Sequence, residues 1–391
     1  MMATQWSANI DLEPIGMNEA AGDQQPHSDR SSTSSRLDGA PQRPTIGNSF
    51  IGRRNSLNAL RLALAVLVIV SHSWPIGGYG PDPGIGETTL GSWAVAGFFA
   101  ISGYLITASR VRSRGFGDYL WRRALRIYPA FIVVLLVVGF GFAPLSVRVG
   151  GDGSWSPGSA ASYVLHNAGL RITQIDIPET LGHSAFPLAW NGSLWTLWYE
   201  FLCYLAIGIV VSIIPIRYLG IAALLATTVC ALGVAAVNLG LPAPTFVVNL
   251  LTLGGYFAAG AVIYFYRSRI PLRTSFALAS VIVIVLAAST STFQIIAGIP
   301  VAYLIMWLGI TTPFQAIGAK NDISYGMYIY AFPVQQTLAL LLADFAVSAA
   351  AFVAICILAT TPLALASWLF IEKPAMKLKF ITNRGAYPQP Q

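Results

Sequence analysis

Charge is scarce in this chain: Asp, Glu, Lys and Arg make up 10% of its 391 residues, where an ordinary soluble domain carries about 25%. Set beside a hydrophobic share of 55% and a mean hydropathy of +0.63, that shortage excludes a soluble enzyme. Cysteine is equally thin. The three cysteines, Cys203, Cys230 and Cys356, lie far apart inside apolar runs, which excludes a disulfide framework and a thiolate metal cluster and leaves core packing. No short basic region followed by an apolar stretch opens the chain, so no cleavable signal is expected and the first span is expected to direct insertion. The net charge is +7, yet within the first 50 residues Asp11, Glu13, Glu19, Asp23, Asp29 and Asp38 outnumber Arg30, Arg36 and Arg43. The positive balance therefore belongs to the apolar part, and no nucleic-acid partner is expected.

What the chain has in plenty is long apolar runs. They recur at about 57–76, 90–109, 123–143, 191–214, 217–238, 245–266, 273–290, 292–310, 322–343 and 346–371, and about 20 such residues cross a bilayer as a helix. The fold class expected is all-α, a polytopic transmembrane helical bundle of about ten helices. Basic residues concentrate at the cytoplasmic ends of spans. With the N-terminus inside, Arg148 and Arg171 fall outside and Arg61 within the first span, leaving 20 of the 23 Lys and Arg at the inner side. That distribution places both termini in the cytoplasm. Residues 1–50, Ser-rich and without apolar periodicity, read as a disordered cytoplasmic tail, 51–380 as the membrane domain and 381–391 as a C-terminal cytoplasmic tail. The one long external segment, about 144–190, is expected to cap the bundle or lie on the membrane surface.

Ionisable groups inside a membrane are expensive and call for a partner or a task. Arg61 and His72 sit eleven residues apart in the first helix, nearly on one face and separated by about 16 Å of rise. Snorkelling accounts for Arg61 in one reading, and packing for His72. Glu200 stands about halfway along the 191–214 run and is the one acid well inside an apolar span, as His72 is the one such histidine. A single buried carboxylate and a single buried imidazole invite pairing, the arrangement that fixes a tautomer for general-base work; a polar clamp between helices is the structural alternative. Arg123 and Arg126, three apart at the start of the third run, present two forked cations that suit a phosphate. With His72 and Glu200 as only two potential ligands, no metal site is expected.

Six segments, in order, resemble the acyltransferase-3 family of bacterial multi-pass O-acyltransferases: Leu57-Asn58-Ala-Leu-Arg61 through His72, Phe98-Phe99-x-x-Ser102-Gly103, Arg122-Arg123-x-x-Arg126-Ile-Tyr-Pro129, Ser193-Leu-Trp195-x-Leu-x-x-Glu200, Ile323-Ser324-Tyr325-x-x-Tyr328, and Ile371-Glu372-Lys-Pro374. The resemblance runs from about residue 53 to 379. It implies a transferase that O-acetylates glycans or glycolipids from cytoplasmic acyl-CoA in the bacterial cytoplasmic membrane. Arg61 and His72 match the residues linked there to acyl transfer, Arg123 and Arg126 those associated with the acyl-CoA donor, and Trp195 and Glu200 the tryptophan and glutamate of the fourth span. The sequence departs from the family at Asn58, where many members carry Asp, and at Ala331, where many carry His.

On this basis His72, Glu200 and Arg61 are the expected catalytic residues and Arg123 and Arg126 the donor-binding pair. Trp195, Tyr199, Tyr325 and Tyr328 are expected at the substrate. Acetyl-CoA is the expected donor, with no permanently bound cofactor. A carbohydrate or lipid-linked glycan acceptor, the bilayer and polysaccharide-assembly proteins are the expected partners. A transporter or flippase for a polysaccharide precursor is the competing reading, since ten helices with a polar path also describe a carrier.

Overall fold

The computed structural model describes residues 44–50, 54–150, 153–182 and 184–379. Every one of the ten apolar runs carries a helix. These are α2 (Leu57–Ile76), α3 (Leu90–Val111), α4 (Phe116–Val137), α7 (Trp195–Ile213), α8 (Ile216–Asn238), α9 (Thr245–Tyr266), α10 (Thr274–Ala288), α12 (Gly298–Thr311), α13 (Ser324–Leu341) and α14 (Ala349–Ser367). Shorter helices join them: α1 (Ile46–Ser49), α5 (Ala143–Gly150), α6 (Pro157–Asn167), α11 (Phe293–Ile296) and α15 (Lys373–Lys377). A two-residue hairpin, β1 (Gly84–Ile85) with β2 (Thr88–Thr89), leads into α3, whose first turn is capped by the Thr89 hydroxyl.

Among the described residues seven helices are long and apolar enough to cross a membrane: Leu57–Ile76, Leu90–Val111, Phe116–Gly150, Trp195–Ile213, Ile216–Asn238, Thr245–Tyr266 and Ala349–Lys377. The protein is a multi-pass membrane protein of helical architecture. α10 and α12 are apolar but only 15 and 14 residues long, about 22 Å each at 1.5 Å per residue, and the Ser289–Thr292 break between them is filled by turns. α13 is long enough but polar: Gln335 and Gln336 are fully buried in it and donate to the Ile69 carbonyl and to Phe186 and Ala189 respectively. An interior helix in a bilayer carries such amides because neighbouring helices satisfy them.

Three boundaries differ from the sequence expectation. The third helix starts at Phe116 rather than about 123, because Gly115 breaks the chain and Asp118 bonds Arg122 one turn on at 3.0 Å; the arginine cluster therefore rides on a helix. α7 begins at Trp195, since Asn191 is held by the Ile329 carbonyl in a preceding turn, so Glu200 lies in its second turn and not midway. The N-terminal tail boundary at 50 is too late. Ile46 is fully buried, its amide bonded to Ile270 and the Leu272 amide to Pro44. The rest of that tail, residues 1–43, and the 381–391 tail lie outside the described residues.

α2 is flanked by α3, α12, α13 and α14, and α3 packs along α9 and α7. The α3–α9 seam is the tightest: a Cβ at Gly103 would stand 2.0 Å from the Phe257 carbonyl, and one at Gly260 would stand 2.2 Å from that of Ala100. Two glycines thus let two backbones touch, as small residues do in membrane interfaces. The segment between α5 and α7 caps one end of the bundle, with Tyr163 and Trp190 buried and Ser184 donating to Gln336. The 138–142 and 368–372 segments are π-helical, a form that concentrates at functional sites. Gly260→Val is expected to separate α3 from α9 and lower stability by about 1–3 kcal/mol, whereas Gly115→Ala, with open space around it, is expected to be tolerated. Unfolding midpoints in detergent would check both.

Candidate active site

Three cavities line up along α2, and the residues singled out in the sequence are distributed among them. The first, about 240 Å³, opens where α2 ends and α3, α7 and α9 begin; His72, Glu87, Ser92, Trp195, Asn249 and Tyr328 are among its walls. The second, about 50 Å³, is enclosed by Arg61, Phe98, Phe99, Ser102, Glu200, Tyr325 and Tyr328 with neighbouring residues. It shares Val95, Thr196 and Tyr328 with the first. The third, about 700 Å³, lies at the opposite end and is walled by Arg61, Arg122, Arg123, Arg126, Asp322, Lys373 and others. Arg61 is common to the second and third.

His72 and Glu200 do not pair. The imidazole Nδ1 stands 3.6 Å from Asp82 Oδ1, at ion-pair range, and its ring meets Phe332 edge-on at 5.3 Å. Asp82 is fixed in turn by the Ser71 hydroxyl at 2.9 Å, and that hydroxyl accepts the Gly91 amide that opens α3. Burial alone pushes the Asp82 carboxyl up, but His72 and Ser71 outweigh it and hold the group below the usual carboxylate range. Glu200 instead accepts from the Ser102 hydroxyl at 2.7 Å and the Tyr204 hydroxyl at 2.6 Å, both on Oε1. The expected pair fails because the loop after α2 supplies a nearer carboxylate and α3 and α7 supply two hydroxyls. Sequence reasoning missed Asp82 because it lies outside any apolar run, although its place ten residues after His72, in the turn before α3, was visible.

Arg61 and Arg126 converge on one carboxylate. Asp322 Oδ2 lies 2.6 Å from Arg126 and 3.2 Å from Arg61, while Asp322 Oδ1 accepts the Ser324 hydroxyl at 2.6 Å at the start of α13. Arg126 also reaches Glu372 at 3.3 Å, a carboxylate turned inward by the 368–372 π turn and held by Ser367, and its guanidinium rests over the Trp368 ring. Four elements, α2, α4, α13 and the end of α14, are joined through these charges. Arg123 differs: its Nε is buried and without a hydrogen-bond partner, beside the third cavity.

The aromatic residues divide. Trp195, 40% exposed, meets Tyr199 edge-on at 5.6 Å, and Tyr199 packs against Phe246 at 5.7 Å; of these Trp195 faces the first cavity and Tyr199 supports it from behind. Tyr328 borders the first and second cavities and bonds Thr196 and the Ser193 carbonyl at 2.6 Å each. Tyr325 borders the second and donates to Ile127. Ala331 is buried among Ala65, Ile69 and Phe352. Asn58 bonds the Gly318 carbonyl at 3.0 Å rather than Arg61, whose carboxylate partner is Asp322. Among the described residues no group of three potential ligands could hold a metal.

Burial raises the Asp322 carboxyl, but Arg61, Arg126 and Ser324 outweigh it and hold it at about 2, against an ordinary 3.8. A lowered carboxyl contributes stability that is complete above its ordinary pKa and is lost as pH falls through the lowered one, so this cluster is expected to survive mild acid and to fail between about pH 4 and 2. Asp322→Asn leaves two partly buried arginines without their shared anion, and the loss is expected to fall below the roughly 3–5 kcal/mol of a fully buried pair and above the ~1 kcal/mol of a surface one. Unfolding of Asp322→Asn, Arg61→Met and the double variant in detergent is expected to show strong non-additivity.

Comparison with known proteins locates this architecture. A protein-family model described as an acyltransferase domain matches residues 54–369. A protein of Shigella phage Sf6 named O-acetyl transferase is 30% identical over 301 residues, covering 73% of this chain and 85% of the phage protein. Nodulation protein 10 of Rhizobium leguminosarum bv. viciae is 28% identical over 371 residues, covering 84% of this chain and 95% of its own. No solved structure matches. The matched region holds the first two cavities and most of the third, whose Lys373, Met376 and Lys379 lie just past it, and sequence kinship places the bundle: the chain belongs to the acyltransferase-3 family of membrane O-acyltransferases and is an O-acetyltransferase.

Proposed function

We propose that the protein moves an acetyl group from cytoplasmic acetyl-CoA to a hydroxyl of a surface or exported glycan or glycolipid, in the bacterial cytoplasmic membrane. The observation that carries the reading is the alignment of three unlike cavities: a cationic one, a narrow one between Arg61 and Glu200, and a wider one holding His72 and an exposed tryptophan. The donor's diphosphate fits the cationic cavity, where Arg122, Arg123 and Arg126 gather and, among the described residues, Arg123 Nε lacks a hydrogen-bond partner. Arg61 lies at the join, and its guanidinium guides the polar arm inward. The thioester then reaches the neck lined by Ser102, Glu200 and Tyr328.

The acceptor enters from the other end. Trp195 offers an apolar face to a sugar ring, and Glu87, Asn249 and Gln294 offer polar groups to its hydroxyls. His72, oriented through Nδ1 by Asp82, presents Nε2 as the general base. It takes the proton of the acceptor hydroxyl as oxygen attacks the thioester carbon; the carbon–oxygen bond forms, the carbon–sulfur bond breaks, and the imidazolium gives that proton to the departing sulfur, so that CoA leaves as the free thiol and His72 is neutral again. Ser102 and Tyr204 hold the Glu200 side chain, which positions the neck. The positive-inside distribution favours an acceptor on the outer side, so that the acetyl group alone crosses the membrane.

Membrane vesicles supplied with labelled acetyl-CoA and a surface-glycan fraction test the reading. His72→Ala is expected to lower transfer by about 10²–10⁴, the usual worth of a general base, and Arg123→Ala to raise the donor KM with little change in kcat. Asp82→Asn is expected to reduce kcat with the donor KM unchanged, because it disturbs the tautomer rather than donor binding. Glycan flux without CoA release would replace this reading with transport.

A further inference from the structure

A fourth cavity of about 740 Å³ adjoins the cationic one and plays no part in the scheme above. The two share Asn58 and Ala319 as a dividing wall. It forms where α3 and α9 end and α2 begins, closed by α1 and by the loop ahead of α13. Its lining combines three kinds of group. Arg112 and Arg267 supply positive charge, and among the described residues no carboxylate lines it. Phe50, Tyr104 and Tyr264 form an aromatic corner with successive ring centroids 5.4 and 5.5 Å apart. Asn55, Asn58 and Gln315 add amides.

Both arginines sit where positive charge only balances the helix ends in an ordinary membrane protein. Arg112 Nε is bonded to the Ala108 carbonyl and Arg267 Nη1 to that of Tyr264. Each still has further N–H groups on a planar fork, and Arg267 lies over the Tyr264 ring at 4.3 Å, so its guanidinium is already placed at the aromatic corner. Aromatic faces, amides able to read a base edge, and a cation for a phosphate are the components of a nucleotide pocket. Because the partition is only Asn58 and Ala319, one molecule with two separated anionic groups could occupy both rooms.

We infer that this fourth cavity is a nucleotide subsite that takes the 3′-phosphoadenosine end of the donor, with the base at Phe50, Tyr104 and Tyr264 and the 3′-phosphate at Arg112 and Arg267. The inference rests on the acyl-CoA reading of the donor. It assigns the donor's two anionic ends to different helices: the diphosphate to α4, the ribose phosphate to the ends of α3 and α9. The distant charge then becomes a second anchor, so that binding strength comes from a part of the molecule that does not react.

The test uses the full chain in lipid nanodiscs and direct binding of CoA, dephospho-CoA, which lacks the 3′-phosphate, and 4′-phosphopantetheine, which lacks the nucleotide. Wild type is expected to bind CoA roughly tenfold or more tightly than dephospho-CoA, the scale of a hydrogen bond to a charged group. Arg267→Gln and Arg112→Gln are each expected to shrink that ratio toward one while phosphopantetheine binds as to wild type, which also shows that the variants fold. Equal binding of CoA and dephospho-CoA by wild type overturns the proposal, as an anionic lipid headgroup in this cavity would produce. So does an undiminished ratio in both variants, or a loss of phosphopantetheine binding that matches the loss of CoA binding. If wild type binds none of the three, the acyl-CoA reading itself falls and this subsite with it.

Discussion

Asp322 is the charge on which the arginine-rich end of the bundle depends. In a low-dielectric interior two guanidiniums a few ångströms apart repel strongly, and each pays heavily for leaving water. One carboxylate between Arg61 and Arg126, backed by Glu372 on the far side of Arg126, brings the set of four to electrical balance. Because the partners come from α2, α4, α13 and the turn after α14, that balance also fixes how these helices meet. Arg123, one turn away and outside the balanced set, keeps an unsatisfied donor. Among the described residues the arrangement separates arginines held by carboxylates from one whose Nε has no hydrogen-bond partner.

The helices were legible in the sequence because a bilayer leaves few options: apolar runs of about 20 residues form helices with their backbone groups satisfied internally. Arg61, His72, Glu200, Arg123 and Arg126 were legible for a related reason, since charge in such runs is rare enough to be noticed. Their partners were not. Asp82 lies between apolar runs and Asp322 at the very first residue of one, where an acid looks like any solvated or interfacial residue, and only the fold turns them inward against His72 and against the arginines. Glu372 sits at the end of a run and reads as an interfacial charge until the π turn rotates it into the core. The pairing expected for His72 and Glu200 failed by the same logic: rarity singles out a group without telling which neighbours it keeps.

The two ends of the line of cavities differ in chemistry. The arginine-rich end is dominated by cations, whereas the end holding His72 combines an exposed tryptophan with amides and hydroxyls. On the proposed reading such a division would let the donor side remain constant while the acceptor side changes, because Trp195, Asn249 and Glu87 line a different cavity from the arginines. The loop carrying Asp82 borders that end and touches the imidazole, so on the proposed reading it would couple acceptor recognition to the reacting base.

Between the ends the passage narrows to about 50 Å³ behind Phe98, Phe99, Tyr325 and Tyr328, space for only a few waters. A resting potential of 100 mV drives each elementary charge with about 2.3 kcal/mol, and a water-filled bore through the same helices would discharge it. On the proposed reading the neck acts as an electrical insulator: a small neutral acyl fragment would be handed through it without opening a path for ions, and modification beyond the membrane would not short-circuit the battery that the membrane maintains.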